Sequence, residues 1–180
     1  LKHNPELDKD QRDKFKNLYK PIHHSLDRFC RVIAGNKDEG ADLLHDTVLA
    51  TMERFNKIKD QKALQSYMFS VASNINKKRI KKASKVSFDP EEVSRLSKES
   101  NSETLTDFHL IYEQILALPS KMSEALILFH VVDLKLEEIR VIQGGSLSGV
   151  KLRIKRGREK LLNQLNEKQS KLTMSFFLVF

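Results

Sequence analysis

The residues best placed to do chemistry lie in the last third of the chain, where basic side chains recur at helical spacing. At about 100° per residue, Ser148, Lys151, Leu152, Lys155 and Arg156 fall on one face of a helix. Val150, Ile154, Gly157 and Leu161 form a narrow apolar stripe on the other side, and Arg153, Arg158 and Lys160 flank it. Guanidinium and ammonium groups gathered on one helix face suit a polyanion. On double-stranded DNA such a helix enters the major groove, with some side chains toward base edges and others toward phosphates.

A reading helix of this kind must be held by short partners, and the residues before it supply them. Leu118-Pro119 followed by Ser120 predicts a helix start, with Ser120 able to cap. Ala125, Leu126, Leu128, Phe129 and Val132 predict a buried helix after it. Leu136 to Gln143 predicts a short helix with Ile139 and Ile142 inward. Gly144-Gly145 then permits a tight turn at positive φ, and Ser146 caps the last helix. Helix, short helix, glycine turn and basic helix in this order predict a helix-turn-helix.

A second basic cluster, Lys77, Lys78, Arg79, Lys81 and Lys82, ends a predicted helix carrying Leu64, Tyr67, Met68, Val71, Ala72 and Ile75. Five cations within six residues exceed what favourable charge at a helix end requires. They predict a phosphate-contact surface. Upstream, Leu18, Ile22, Leu26, Phe29 and Ile33 make one apolar stripe ending near Gly35-Asn36. Asp38 can cap the following helix, whose stripe is Ala41, Leu44, Val48, Met52 and Phe55, with a loop at Asn56 to Lys62. Periodicity therefore predicts an all-α chain of two small helical domains, 10–83 and 108–167, with a tail at 168–180. Residues 84–107, rich in Ser, Glu and Asp, read as a flexible linker between two DNA-facing surfaces.

Composition narrows the classes further. The 180 residues carry a net charge of +8, which favours polyanionic partners. No apolar run approaches the ~20 residues of a membrane span, so no membrane insertion is expected. A polar N-terminal stretch shows no signal peptide, and the single Cys30 fits a reducing cytoplasm. Cys30 reads as a small core hydrophobe. His23 and His24 point about 100° apart on a helix and so do not share a metal site. Glu91-Glu92 and Glu137-Glu138 read as linker charge and helix-start charge. No nucleophile triad, phosphate loop or metal spacing is present, so neither an enzyme nor a cofactor or metal is expected.

Taken in order, these motifs resemble a bacterial RNA polymerase sigma factor of the extracytoplasmic-function group. The residues 41–47, ADLLHDT, resemble the family's polymerase-binding helix. Residues 63–74, ALQSYMFSVASN, resemble its promoter-melting segment. Leu118-Pro119, Glu137-Glu138-Ile139 and residues 148–158, SGVKLRIKRGR, resemble its minus-thirty-five reader. The resemblance covers most of residues 12–165. It implies that Asp42, Leu43, His45 and Asp46 face the beta-prime clamp helices of core RNA polymerase. Ile58 and Asn74 would touch a captured minus-ten base, with Lys77, Lys78 and Lys81 on nearby phosphates. Lys151, Leu152, Lys155 and Arg156 would read the minus-thirty-five element, with Ser148, Gly149 and Arg153 on its backbone. Implied partners are core polymerase, including its beta flap, promoter DNA and an anti-sigma factor.

Five positions depart from the family pattern. Tyr67 stands for Trp and His45 for a common Gln. Leu152 replaces a small polar residue on the groove face and would favour a thymine methyl. Arg140 replaces a small residue between the two helices and Gly145 an apolar turn residue, so both are expected to loosen the core unless Arg140 snorkels outward. The expected function is promoter recognition and melting within polymerase. A stand-alone helix-turn-helix regulator and a degenerate sigma-like adaptor without DNA reading are the alternatives.

Overall fold

The computed structural model describes residues 8–58, 60, 63–86 and 111–166, and every described element is helical. The first block holds α1 (Lys9–Tyr19), α2 (His23–Ala34), α3 (Lys37–Met52), a 3-10 turn at Phe55–Lys57 and α4 (Leu64–Val86). The second holds helical residues 111–116, then α5 (Ser120–His130), α6 (Leu136–Gln143) and α7 (Leu147–Asn166). The flexible linker expected at 84–107 and the tail at 168–180 lie outside the described residues, apart from the end of α4.

Local chemistry explains the boundaries. Asp8 caps α1 by accepting from the Gln11 amide at 2.8 Å. The stripe from Leu18 to Ile33, expected as one helix, is broken at Lys20–Ile22, because Pro21 has no amide proton to continue a helix. Phe15, on the separate α1, stacks edge-on against Phe55 with ring centroids 5.3 Å apart. Gly35 closes α2 at φ 89°, a left-handed value that glycine adopts without strain. Asn36, not Asp38, caps α3, its side-chain oxygen taking the Glu39 amide at 2.8 Å.

The buried face of α3 is one position away from the expected one. Gly40, Leu43, Thr47 and Thr51 point inward, while Leu44, Val48 and Met52 are half-buried and Ala41 is exposed. Two threonines can enter the core because their hydroxyls donate to carbonyls one turn earlier: Thr47 to Leu43 and Thr51 to Thr47, each at 2.7 Å. Gly40 lets α2 approach closely; a Cβ there would lie 2.4 Å from the Arg31 Cα.

Phe29 of α2 and Phe69 of α4, both fully buried, meet edge to face at 5.1 Å in the core of the first block. In the second, α5 packs on α7 and α6 closes the end. Ile127, Leu128, Ile139, Val150 and Leu161 fill the space between them. Pro119 precedes α5 with no side-chain cap, so Ser120 is its first residue rather than its cap.

The two blocks also pack against each other, with α4 against α6 and α2 against α5. Their apolar residues form one continuous cluster. Polar contacts span the junction as well. The Tyr112 hydroxyl donates to the Val32 carbonyl at the end of α2, with the Arg31 carbonyl 3.3 Å away. Ser70 of α4 donates to the Ile142 carbonyl at 3.1 Å. Ser73 donates to the Glu124 carboxylate, and Lys77 Nζ lies 3.1 Å from its other oxygen.

Candidate functional site

The helix-turn-helix is built from α6, the turn Gly144–Ser146, and α7. Glu138 accepts from the Lys135 amide at 2.8 Å and fixes the start of α6. Gly144 and Gly145 stand at φ 71° and 92°, which only glycine takes up freely. Gly145 is thus what the turn requires and not the weak point expected of it. Ser146 caps α7 as expected, its Oγ accepting from the Gly149 amide at 3.1 Å. Arg140 is exposed on α6, so it points outward and leaves the core undisturbed.

The division of α7 into two faces is as the periodicity required. Val150, Ile154, Gly157 and Leu161 are buried, while Ser148, Lys151, Leu152, Lys155 and Arg156 are exposed together. Leu152 is 44% exposed, an apolar side chain on an otherwise polar face, which suits contact with a methyl group on a base edge. Lys155 makes only a long 3.9 Å approach to Glu159. Arg158 turns inward, its Nε donating to His130 Nε2 at 3.0 Å and its guanidinium 5.5 Å from the Phe129 ring centre. Burial, and after it the charge of Arg158, push His130 down to about 4.

Arg153 is placed differently from its neighbours. It is half-buried and donates to the Gln143 side-chain oxygen and, at 3.1 Å, to the Gly144 carbonyl. Gln143 in turn donates to the Lys121 carbonyl at 3.0 Å. This chain ties α7, the turn and α5 together. Gly149, also half-buried, has Ser146 Oγ 3.2 Å from where its Cβ would stand.

On the first block, Asn74, Lys77, Lys78 and Lys81 are exposed along α4, and Ile58 is half-buried beyond the 3-10 turn. Arg79 was expected among the phosphate contacts of the basic cluster. It instead crosses to α3, donating to Asp46 at 2.6 Å and lying 3.5 Å from Glu39. Asp42 and His45 are exposed on α3, and Asp46 is exposed but engaged. Leu43 is fully buried against the core, which corrects its expected place on a partner-facing surface. The family resemblance had placed it there, whereas the register of α3 turns it inward with Gly40, Thr47 and Thr51. Leu49, 47% exposed, takes its place on the outer side beside half-buried Leu44, Val48 and Met52.

Glu124, Tyr112 and Gln143 went unnoticed in the sequence. A carboxylate inside an otherwise apolar helix, such as Glu124 in 123–128, was the one available signal. The buried Cys30 behaves as expected of a core residue. Burial, then Asp27, push its thiol up to about 12, so it is inert. His23 accepts or donates locally at 2.6 Å from the Tyr19 hydroxyl. Among the described residues no group of His, Cys, Asp and Glu has metal-binding geometry, and no helix is long and apolar enough to cross a membrane.

The family model for sigma-70, region 4 matches residues 108–161, the stretch that contains the helix-turn-helix. The ECF RNA polymerase sigma factor EcfG of Rhodopseudomonas palustris is 26% identical over 141 residues, covering 76% of this chain and 77% of that protein. The ECF RNA polymerase sigma factor SigW of Bacillus subtilis is 24% identical over 176 residues, 90% of this chain and 94% of its own. Among solved structures, the sigma factor RpoE of Bartonella quintana, in complex with the anti-sigma factor NepR, superposes with a TM-score of 0.65 at 18% identity. That match covers 87% of this chain and 99% of the other. CnrH, in complex with the cytosolic domain of CnrY, gives a TM-score of 0.65 at 17% identity, covering 88% and 91%. Residues 108–161 thus match sigma-70, region 4, and the chain as a whole is similar to RNA polymerase sigma factors of the extracytoplasmic-function group.

Proposed function

We propose that this chain binds core RNA polymerase, brings it to promoters carrying minus-ten and minus-thirty-five elements, and helps open the DNA there. The observation that carries the reading is α7: an exposed face of five side chains, three of them basic, presented opposite a fully packed stripe, behind a glycine turn. Lys151, Leu152, Lys155 and Arg156 read base edges, and Ser148 and Gly149 lie toward the phosphates at the capped helix start. Block 108–167 is the minus-thirty-five reader and block 10–83 carries the minus-ten and polymerase-binding roles, joined by residues 84–107.

The outer face of α3 supports the polymerase role. Asp42, His45 and Asp46 border an apolar strip of Leu44, Val48, Leu49 and Met52 that the core leaves partly uncovered. An exposed apolar strip with a charged rim fits a protein partner. Ile58 and Asn74, with Lys78 and Lys81, take the minus-ten strand, offsetting the few kcal/mol that unstacking a base costs. The bond-making chemistry belongs to the polymerase, and this chain contributes recognition, in the cytoplasm. An anti-sigma factor is a further partner, as NepR is for RpoE.

Run-off transcription on genomic fragments with purified core polymerase tests the reading. New start sites that depend on this chain are expected. A stand-alone regulator would bind DNA tightly without polymerase, and an adaptor would yield no new starts. Capture of core polymerase should be lost in Asp42→Arg and Leu49→Asp, since a regulator has no use for that face.

A further inference from the structure

On the sigma-factor reading above, we infer that Arg79 is a positioning residue for promoter recognition. Held by Asp46 and Glu39 of α3, it fixes the direction and rotation of the DNA-facing end of α4, and itself touches no DNA.

Polar bonds, not the core, hold that end of the helix. Leu64, Met68, Phe69 and Ala72 grip α4 as buried residues, but past Ser73 none of its described side chains is buried. Asn76 donates to the Ile33 carbonyl at the end of α2, at 2.7 Å. Almost one turn further on, Arg79 Nη2 donates to Asp46 at 2.6 Å. Its Nη1 lies 3.4 Å from the Glu39 carbonyl and 3.5 Å from the Glu39 carboxylate. Within 77–82 Arg79 alone is half-buried, while Lys77, Lys78, Ile80, Lys81 and Lys82 are exposed. A planar guanidinium suits this place, because its fork reaches two acceptors at once and so fixes orientation as well as distance.

Rotation links this hold to the DNA contacts. At about 100° per residue, Asn74, Lys78 and Lys81 fall within about 60° of one another. Arg79 lies at least about 100° round the helix from each of them. Turning Arg79 onto α3 therefore presents the three proposed minus-ten side chains together, on a side away from α3. Asp46 keeps half of its side chain exposed, so it holds Arg79 and still meets polymerase. The helix that takes its bearing from polymerase thus sets the bearing of the helix that carries the DNA contacts. A guanidinium engaged by two acidic residues is not offered to a phosphate, which separates Arg79 from Lys78.

A double-mutant cycle on the holoenzyme, reading promoter affinity at about 0.1 M salt, tests the assignment. Lys78→Ala alone should weaken binding about five- to tenfold, the effect of one counterion. Arg79→Ala should weaken it at least as much, because it disturbs Lys78 and Lys81 together. In the Arg79→Ala background, adding Lys78→Ala should weaken binding less than about two-fold, since the lysine is no longer aimed. Equal effects of Lys78→Ala in both backgrounds would make Arg79 an independent phosphate contact and overturn the inference. So would a fall in the thermal midpoint large enough to account for the weaker binding, because a half-exposed ion pair contributes little to global stability.

A second measurement needs no polymerase. Spin labels at Ala41→Cys on α3 and Lys82→Cys on α4 occupy exposed positions, with the buried Cys30 left in place. They should give one narrow distance distribution with Arg79 present and a broader, longer one in Arg79→Ala. Identical distributions would overturn the inference. If run-off transcription never depends on the chain, the sigma-factor reading falls instead, and the spin-label distances still decide whether Arg79 holds α4.

Discussion

The Arg153 guanidinium on α7 is hydrogen-bonded to the Gln143 side chain at the end of α6, lashing the reading helix to the helix before it. A second bond reaches the Gly144 carbonyl at 3.1 Å, so one planar fork spans the whole turn. Arg153→Ala should therefore destabilise the protein by about 1–2 kcal/mol. That corresponds to a fall of about 3–6 °C in thermal unfolding. Arg153→Lys should recover little, because an ammonium cannot bridge both acceptors. Should promoter binding fall with the melting temperature unmoved, Arg153 would be a phosphate contact, as the family resemblance implied.

Gly40 and Arg31 meet where α3 closely crosses α2. A Cβ at 40 would sit 2.4 Å from the Arg31 Cα and 2.9 Å from its nitrogen, both backbone atoms that cannot swing aside. Alanine gains up to about 1 kcal/mol of helix propensity there, but overpacking costs about 1–3 kcal/mol or more. Gly40→Ala should consequently lower the denaturation midpoint and shift α3, on whose outer face polymerase is proposed to bind. An unchanged or higher midpoint would mean the crossing is looser than these distances imply.

These two sites show where the sequence was readable and where it was not. The helix-turn-helix was legible down to single residues, because a 3.6-residue period, two adjacent glycines and a serine cap each act locally. The face of α3 was misread because threonine counts as polar by composition, yet Thr47 and Thr51 satisfy their hydroxyls on their own helix and enter the core. Leu43 was placed outward by the family resemblance, against the register that buries it here. Gly40 gave no signal at all, since the need for it arises from a second helix. The Glu124 contact depends on pairing between residues 51 and 47 positions apart, which no local pattern can reveal.

His130 gives the reading module an acid sensitivity. Arg158 donates to its Nε2, which must be unprotonated to accept, and burial together with the Arg158 charge pushes the imidazole down to about 4. In the unfolded chain the same group titrates near its ordinary 6.5. Between those values the unfolded state binds the proton and the folded state does not, so stability falls as pH drops through the window. With the half-buried ring partly screened by solvent, the loss should be of the order of 1 kcal/mol. His130→Gln, which keeps an acceptor for Arg158, should flatten urea midpoints between pH 6.5 and 4 relative to wild type. A slope identical in both proteins would move the sensitivity elsewhere.

Lys78 and Arg156 separate the two kinds of DNA contact proposed. Both are exposed, one beside Lys77 on α4 and the other on the reading face of α7. A lysine on a phosphate neutralises one charge whatever the sequence. Lys78→Ala should therefore weaken holoenzyme binding alike on all promoters and reduce the salt slope by about one ion. An arginine on a base edge should instead distinguish sequences. Arg156→Ala should cost about 1–3 kcal/mol on the preferred minus-thirty-five element, little on an altered one, and broaden the set of start sites. Measuring both variants across a salt series and a mutated element separates the roles, because a phosphate contact changes the slope and a base contact changes the preference. If Arg156→Ala lowers the slope and leaves the preference intact, base reading rests on Lys151, Leu152 and Lys155 alone.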